Sequence, residues 1–258
     1  AGFSLGEADI LRRAMGKKQV EVMEKEREHF VSGAMEKGYT QQAAKEVYNY
    51  IYEFSNYGFN RAHAVVYSTL AYQLAYLKAN YTEEFYQAIL NNGRSQSTSF
   101  NLYIQEAKNK LNKLLPLDIN KSKAGFKVDE GLRIGFNSVT GIRGELIRHI
   151  TEDRSQIGSY KSLLDFLQRL PLKFLKMDMI SPLIYSGAFD NFGYNRATLI
   201  HNLPAMIQSV EFSGQNMNLF QEMEPKIDWI QDFTLMERLN QEKEALGYTI
   251  SGHPLDAY

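Results

Sequence analysis

The sequence predicts a mainly α-helical protein with two or three short strands near its middle. Up to about residue 111, apolar side chains recur at the three- and four-residue spacing of amphipathic helices. Between residues 114 and 136, the apolar stretches are short and bounded by Pro, Gly, Asp and Asn, which is typical of small strands. Helical spacing then resumes. We therefore expect a helical bundle followed by a small α+β part.

Six helices are expected in the first part. Ser4 and Glu7 have the spacing of a capping box, in which each side chain bonds the other's main-chain amide, and Gly16 can end the helix that they begin. The fourth helix is apolar nearly all round, so we predict that it is buried at the centre of the bundle. The six helices are predicted to begin near Ser4, Val20, Thr40, Arg61, Thr82 and Ser99.

The second part is expected to start near Lys113, with strands around Leu114–Leu117, Gly125–Val128 and Leu132–Phe136. Residues 209–229 are rich in polar residues and contain Gly and Pro, which predicts an exposed connector. The further helices are predicted at about Gly141–Asp153, Ser162–Arg169, Lys173–Tyr185, Tyr194–Gln208 and Leu235–Leu246. The predicted domains are 1–112, 113–208 and 209–258.

The composition restricts the kinds of anion-binding and metal-binding site that the protein can have. The 29 Lys and Arg residues are balanced by 30 Asp and Glu residues, so the net charge of -1 gives no general attraction to a polyanion. Anion binding must therefore come from local clusters. The absence of cysteine excludes disulfides and thiolate metal sites, and the five histidines lack metal-ligand spacing.

The sequence also bears on location. Its longest apolar stretch, 62–77, is interrupted by polar residues and is shorter than the roughly 20 residues of a membrane span. No signal peptide is recognisable at the first residues, so we expect a cytoplasmic protein without membrane contact. The first residue is Ala rather than Met, which leads us to expect an excised piece of a longer chain.

The first candidate anion site is a basic cluster that contains Arg12, Arg13, Lys17 and Lys18. Guanidinium groups make paired contacts with phosphate oxygens and lysine adds a compact charge, so the cluster suits a triphosphate or a DNA backbone. Arg13 and Lys17 would share a helical face if the helix continued that far. A solvated basic surface without a ligand is the other interpretation, and the sequence leaves both open.

A second candidate site lies at the start of the fourth helix. Gly58 and Phe59 form a turn, and Asn60 can cap the helix, whose first amides and partial positive charge attract anions. Arg61 adds a cation, and His63 could donate a hydrogen bond to a phosphate or a base. A purely structural histidine at the helix start is the alternative interpretation of His63.

Residues 139–150 resemble a helix-hairpin-helix. In this motif a Gly-hydrophobic-Gly turn lets main-chain amides approach a DNA phosphate. Gly141 occupies the first glycine position, Arg143 stands in place of the second glycine, and Gly144 follows it. Two outcomes stay open, which are a distorted hairpin and an additional phosphate contact from Arg143.

Residues 186–190, with the sequence Ser-Gly-Ala-Phe-Asp, lie between two predicted helices. They form either a second, degenerate hairpin that mainly serves packing or a simple helix end at Gly187. The sequence favours neither interpretation over the other.

The motifs of the chain are found together in one known family. They are Ser4–Lys18, Tyr57–Ala64, Leu115–Asn120, Ser186–Asp190 and Glu242–Leu255. In this order they closely resemble the alpha subunit of bacterial DNA polymerase III, of the DnaE type among the C-family polymerases. The resemblance covers essentially the whole chain. It implies the distal part of a fingers domain followed by a tandem helix-hairpin-helix region, with the catalytic aspartates in a palm domain upstream and an oligonucleotide-binding domain downstream.

The resemblance also implies roles for the candidate residues. The paired arginines would contact the phosphates of the incoming nucleotide, the element before the fourth helix would lie against the nascent base pair, and the hairpin would contact template–primer duplex. The expected nucleotide-binding residues are Arg12, Arg13, Lys17, Lys18, Gly58, Phe59, Asn60, Arg61 and His63. The expected DNA-binding residues are Gly141, Arg143, Gly144 and Arg148.

The connector carries a segment similar to the internal sliding-clamp motif of this family. A glutamine followed by paired apolar side chains fills a pocket on the clamp. The expected clamp-binding residues are Gln215, Met217, Leu219 and Phe220. Because the spacing is one residue longer than the shortest form of the motif, either Gln215 or Asn216 can take the first position.

The activity that the resemblance implies is that of a DNA-directed DNA polymerase, a nucleotidyltransferase of bacterial replication. Mg²⁺ ions held by palm carboxylates would activate the primer hydroxyl and the leaving pyrophosphate. No catalytic residue, metal or cofactor is expected within this chain, which we predict to be inactive alone. The implied partners are template–primer DNA, a deoxynucleoside triphosphate (dNTP), the sliding clamp and other replisome subunits. Two alternatives stay open: a non-catalytic DNA-binding module and a helical scaffold that binds the clamp.

Overall fold

The computed structural model describes residues 1–17, 19–57, 61–93, 98–111, 113–215 and 226–257. These residues form eleven α-helices and one three-stranded sheet, which confirms a mainly α-helical fold with a small β part. The helices are α1 (Leu5–Gly16), α2 (Val20–Glu36), α3 (Gln41–Tyr57), α4 (Arg61–Asn80), α5 (Thr82–Asn92), α6 (Thr98–Lys110), α7 (Gly144–Ile157), α8 (Leu163–Gln168), α9 (Met177–Tyr185), α10 (Arg196–Gln215) and α11 (Leu235–Leu246). The strands are β1 (Leu114–Leu115), β2 (Lys127–Val128) and β3 (Leu132–Arg133).

The chain divides into two compact units, Ala1–Ala75 and Tyr76–Tyr258, and the division falls within α4. Within the second unit, α5 packs against α6 and against the sheet. The domains predicted from the sequence divide the chain at other places, after residues 112 and 208, and they remain a prediction.

In the first unit, α1, α2 and α3 pack against one another around a small core. Leu11, Met23 and Tyr48 are buried there, one from each helix, and the Tyr48 hydroxyl donates a hydrogen bond to the Met23 carbonyl. The predicted capping box is confirmed. The Glu7 amide donates to Ser4 Oγ at 3.3 Å, and the Ser4 amide donates to the Glu7 carboxylate at 2.8 Å. The sequence therefore defines the start of α1 correctly.

The prediction that α4 is buried at the centre of the bundle was wrong. No residue of α4 is buried, and its apolar side chains Val65, Leu70 and Tyr72 are 57%, 48% and 71% exposed. Apolar residues all round a helix define no single face that would orient it, and α1–α3 turn their apolar stripes toward one another instead. Neither α4 nor any other helix in the described part of the chain is long and apolar enough to span a membrane.

The sheet lies in the second unit and has the strand order β1-β3-β2. β1 is parallel to β3, with Leu114 opposite Leu132, and β2 is antiparallel to β3, with Val128 opposite Leu132. Leu132 in the central strand is fully buried in the large core of the second unit. The sheet thus belongs to this core, together with buried side chains of the helices α5 to α11 and of the segments that connect them.

Asparagine side chains in the second unit make the hydrogen bonds that a neighbouring strand would otherwise make. Asn91 of α5 accepts a hydrogen bond from the Phe126 amide at 2.7 Å and donates one to the Phe126 carbonyl at 2.9 Å, next to the edge strand β2. Asn120 makes the same two bonds with Tyr160, both at 2.8 Å. A side-chain amide offers one acceptor and a donor, as a residue of an adjacent strand would, so it satisfies extended main chain that has no strand beside it.

A buried ion-pair network joins α10 to α11. Arg196 contacts Glu242 at 2.9 Å and Asp190 at 2.7 Å, and the side chains of Arg196 and Glu242 are only 4% and 0% exposed. Glu242 also accepts hydrogen bonds from the amides of Ile250, at 2.6 Å, and Ser251, at 2.9 Å. Burial alone would raise the pKa of Glu242, but its hydrogen bonds from Ser251, Ile250 and Arg196 outweigh burial and hold the pKa below its usual value.

Several helix boundaries differ from the sequence prediction, and α9, for example, begins at Met177 and not at Lys173. The helix predicted from Gly141 begins at Gly144, because Gly141 adopts a positive φ that a helix does not allow. α10 continues to Gln215, so the first residues of the predicted connector are helical. Val210 packs against the core and continues the apolar face of α10 beyond the predicted end.

Candidate nucleotide and nucleic-acid interface

The two arginines of the basic cluster are held side by side by one carboxylate. Arg12 Nη2 lies 2.8 Å from Asp9 Oδ1, and Arg13 Nε lies 2.7 Å from Asp9 Oδ2. Both arginine side chains are exposed, at 72% and 67%. The hydrogen bond from Arg12, together with the charge of Arg13, holds the pKa of Asp9 below its usual value. Asp9 is the residue that sequence reasoning missed, although its spacing of three and four residues from the arginines indicates such contacts.

This arrangement leaves hydrogen-bond donors of the arginines unused by Asp9. A guanidinium has five N–H donors, and the contacts of Arg12 with Asp9 use its Nε and Nη2 atoms. Donors therefore remain on both arginines for a further acceptor, while Asp9 reduces the local positive charge. Lys17 does not continue the helical face of Arg13, because α1 ends at Gly16 and Lys17 caps it. Lys18 lies outside the described residues.

The start of α4 carries the other predicted nucleotide contacts. Arg61 is its first residue and is exposed, as is His63 in the same turn. The His63 ring packs on the Tyr67 ring with their centroids 4.2 Å apart. Gly58, Phe59 and Asn60 lie outside the described residues. Arg61 and His63 belong to the same compact unit as the arginine pair of α1.

The first hairpin precedes α7, and its geometry fits the predicted turn. Gly141 has a φ of +79°, and a Cβ built on it would meet no atom within 4 Å, so its surface is open. Arg143 has a φ of −80° and a ψ of 141°, which any residue can adopt. Arginine in place of the second glycine therefore does not distort the hairpin. Ile142 packs against the core, and the Thr140 amide donates to the Ala245 carbonyl at 2.7 Å.

The N-terminus of α7 lies at this hairpin. Arg143 occupies the N-cap position, and its side chain makes no capping hydrogen bond. The amides of Leu146 and Ile147 bond the Arg143 carbonyl, at 2.9 and 3.2 Å. The amides of Gly144 and Glu145 precede them in the exposed first turn, where the helix dipole adds a partial positive charge. Main-chain donors of this kind suit a phosphate.

Cations surround this turn. Arg143 and Arg148 are exposed, and Lys173 Nζ lies 2.9 Å from the Glu145 carboxylate. The hydrogen bond and charge of Lys173, and then the charges of Arg143 and Arg148, hold the pKa of Glu145 below its usual value. Lys173 thus pairs with Glu145, and Arg143 and Arg148 add their charges to the electrostatics of the same carboxylate. Sequence reasoning missed Lys173, because it lies 28 residues from Glu145 and belongs to no local motif.

The second hairpin is part of the interior. Ser186, Ala188 and Phe189 are at most 1% exposed, and the Ile119 amide donates to the Ala188 carbonyl at 2.8 Å. Gly187 has a φ of +85°, and a Cβ there would lie 2.5 Å from Arg196 Nη2. A helix end at Gly187 and a packing role are therefore both observed. This segment offers no open surface to a ligand comparable to that at Gly141.

The predicted clamp motif lies at the end of α10 and beyond it. Gln215 is the last residue of α10, whereas Met217, Leu219 and Phe220 of the clamp motif lie outside the described residues. Within the described ranges, no group of three or more His, Asp or Glu side chains is placed to hold a metal ion.

Comparison with known families matches two parts of the chain. Residues 1–38 match the family model of the bacterial DNA polymerase III alpha subunit finger domain, and residues 112–199 match the model of a helix-hairpin-helix motif. The arginine pair of α1 lies in the first match. The hairpin at Gly141 and the interior segment at Gly187 both lie in the second.

The chain is also similar to whole curated proteins. DNA polymerase III subunit alpha from Borreliella burgdorferi is 41% identical over 273 residues, and the alignment covers 100% of this chain and 24% of that protein. The corresponding subunit from Bacillus subtilis is 39% identical over 266 residues, with the same coverage. That from Thermus aquaticus is 41% identical over 265 residues, covering 100% of this chain and 22% of the relative. The chain thus spans about a quarter of the length of these relatives.

Proposed function

Because the chain belongs to the bacterial DNA polymerase III alpha-subunit family, we propose that it forms the distal fingers and tandem helix-hairpin-helix parts of such a subunit. In this proposal residues 1–112 belong to the fingers, 113–208 bind DNA, and 209–258 connect to further domains. The two family matches, at 1–38 and 112–199, support this division. The subunit would work in the cytoplasm with the other replisome proteins.

The first function of the chain is to bind the triphosphate of an incoming dNTP. The exposed pair Arg12 and Arg13 supports this, because Asp9 aligns the two guanidiniums while donors remain for phosphate oxygens. Arg61 and His63, in the exposed first turn of α4, would complete the contact from the same compact unit. Lys17, Lys18 and the residues Gly58, Phe59 and Asn60 retain the roles that the family resemblance implies for them.

The second function is to hold template–primer duplex by its backbone. The observation that carries it is the first hairpin, where an open positive-φ glycine, Gly141, precedes the exposed N-terminal turn of α7 between Arg143 and Arg148. Contacts of this kind neutralise phosphates and read no sequence. They also release counterions, so affinity falls as salt rises.

A salt titration of duplex binding tests the hairpin. We expect the purified chain to bind duplex DNA at low salt, with a logarithmic salt slope of about −0.9 for each phosphate neutralised. Arg143→Ala and Arg148→Ala are each expected to reduce the magnitude of that slope by about one, for all duplex sequences alike. Lys161→Ala removes an exposed cation outside the hairpin and should leave the slope unchanged. Absence of binding at low salt, or equal slopes for all variants, would contradict the proposal.

The chain itself would carry out no chemistry. In this proposal the carboxylates and the Mg²⁺ ions of the polymerase reaction belong to a part of the subunit outside this chain, as the family resemblance implies. The cations of the chain would neutralise charge on the triphosphate. Nucleotide incorporation by the purified chain alone is therefore not expected.

The third proposed contact is with the sliding clamp. Gln215, Met217, Leu219 and Phe220 provide the glutamine and the apolar side chains of the motif. Gln215 is the last residue of α10, so the motif begins at the end of that helix. Paired apolar side chains after a glutamine suit a hydrophobic pocket on the partner.

A further inference from the structure

Residues 228–232 lie along the N-terminal half of α10 and run in the opposite direction to it. The Asp228 amide donates to Asn202 Oδ1 at 3.0 Å, and Asn202 Nδ2 donates to the Asp228 carbonyl at 2.9 Å. The Ile230 amide donates to Thr198 Oγ1 at 3.1 Å, and the Ile230 carbonyl accepts from Thr198 Oγ1 at 3.2 Å and from Asn195 Nδ2 at 3.0 Å. One face of the helix therefore bonds alternate residues of the segment.

The spacing of the two elements explains this match. Two residues of extended chain advance about 6.6 Å, and four residues of an α-helix advance about 6 Å. The main-chain groups of Asp228 and Ile230 consequently fall in step with side chains at 202 and 198. Helix and segment remain in register over this distance without distortion of either.

The side chains of α10 that make this contact are buried and polar. Thr198 is 0% exposed and Asn202 is 7% exposed, so their polar atoms need partners within the protein. The segment supplies those partners through its main chain. Asn195 is fixed as well, because its Oδ1 accepts from the Thr198 amide at 2.7 Å. Recognition of this kind depends on an extended backbone and not on particular side chains.

Two further sets of contacts extend the interaction. The Trp229 ring lies 5.0 Å from the Tyr194 ring, although Trp229 is 62% exposed. Asp232 accepts from the Ala197 amide at 3.4 Å and pairs with Arg238 of α11. The segment is therefore tied to the start of α10 and to α11.

We propose that Asn195, Thr198 and Asn202 form a binding strip for extended polypeptide main chain, and that residues 228–232 occupy it as a strap. The strap fixes the chain on the C-terminal side of the clamp motif, as α10 fixes it on the N-terminal side. The relevance to the clamp rests on the proposed clamp contact, but the strip itself does not.

Amide hydrogen exchange in the purified chain tests the strip. The Asp228 and Ile230 amides should exchange slowly, and Asn202→Leu with Thr198→Val should accelerate both by at least about tenfold. Gln208→Leu alters an exposed residue of the same helix and is expected to change neither amide. Trp229 is the only tryptophan of the chain, so its fluorescence should change in the double variant as it leaves Tyr194.

A second variant tests the strip without changing the buried side chains of α10, so its result does not depend on whether the first variant folds. Ile230→Pro removes the amide that Thr198 accepts and leaves the buried side chains of α10 unchanged. It should accelerate exchange at Asp228. Unchanged exchange at Asp228 in both the double variant of Asn202 and Thr198 and the Ile230→Pro variant would overturn the strip. A separate titration with sliding clamp decides the clamp contact: slow exchange in a chain that binds no clamp supports the strip and rejects the clamp proposal.

Discussion

Arg196→Met is expected to lower the free energy of unfolding of the chain by about 3–5 kcal/mol. The substitution leaves the carboxylate of Glu242, which is 0% exposed, without its cation, and Asp190 also loses its partner. An uncompensated buried charge is among the largest penalties that one substitution can cause. Urea unfolding followed by circular dichroism measures the change.

Lys121→Met provides the matched control. Lys121 pairs with Glu130 at 4.0 Å, but the two side chains are 55% and 77% exposed. Surface pairs of this kind contribute little, so we expect a change within about 0.5 kcal/mol. Equal and small effects of the two substitutions would show that the Arg196 network does not stabilise the fold.

The pH dependence gives an independent readout of the same network. The pKa of Glu242 is lowered in the folded protein, so the carboxylate contributes stability above its unfolded pKa, near 4.5, and this contribution is lost as the pH falls through the folded pKa. Glu242→Gln should therefore flatten the loss of stability on acidification below about pH 4.5. An unchanged acid limb would mean that Glu242 does not carry this dependence.

Arg12→Ala, in a complete polymerase that contains this segment, is expected to reduce kcat/KM for the incoming nucleotide by about 10²–10³. Arg12 is exposed and held by Asp9 next to Arg13, so its loss removes the donors that we propose to contact phosphate and does not disturb a core. The affinity for DNA should change little, because Arg12 is not one of the hairpin residues that we propose to contact the duplex. Single-nucleotide incorporation kinetics and a DNA-binding titration distinguish the two effects.

Lys45→Ala serves as the control for this experiment, since Lys45 is an exposed cation on α3 of the same unit. It should leave nucleotide kinetics unchanged. If Arg12→Ala also left kcat/KM unchanged, the basic cluster would be a solvated surface, which is the other interpretation that the sequence allows.

Local patterns predicted the parts of the fold that depend on local interactions. The capping box at Ser4 and Glu7 places the start of α1 correctly, and the glycine at 141 marks the turn before α7. The ion pairs of Asp9 with Arg12 and Arg13 are also local, because they join residues three and four positions apart. This spacing was sufficient to predict that a carboxylate belongs to the basic cluster. Such features need only a few neighbouring residues.

Contacts between distant residues could not be predicted in this way. The apolar sequence of α4 indicated burial, yet which element covers a helix is decided by tertiary packing. The strap depends on Asn202 and Asp228, which are 26 residues apart and bond through main chain that carries no sequence signature. Lys173 likewise lies beside the hairpin only because of a contact between distant residues, 28 positions apart. The sequence therefore predicted the turn of the candidate DNA site, but it did not predict all of the cations beside that turn.

The exchange rates of the Gly144 and Glu145 amides with and without primer–template duplex test the central claim most directly. If the first turn of α7 binds a DNA phosphate, both amides should exchange more slowly when duplex is added at low salt, while amides of α2 and α3 remain unchanged. The protection should disappear as salt is raised. Duplex that binds the chain and leaves both amides unprotected would contradict the claim that this hairpin holds DNA.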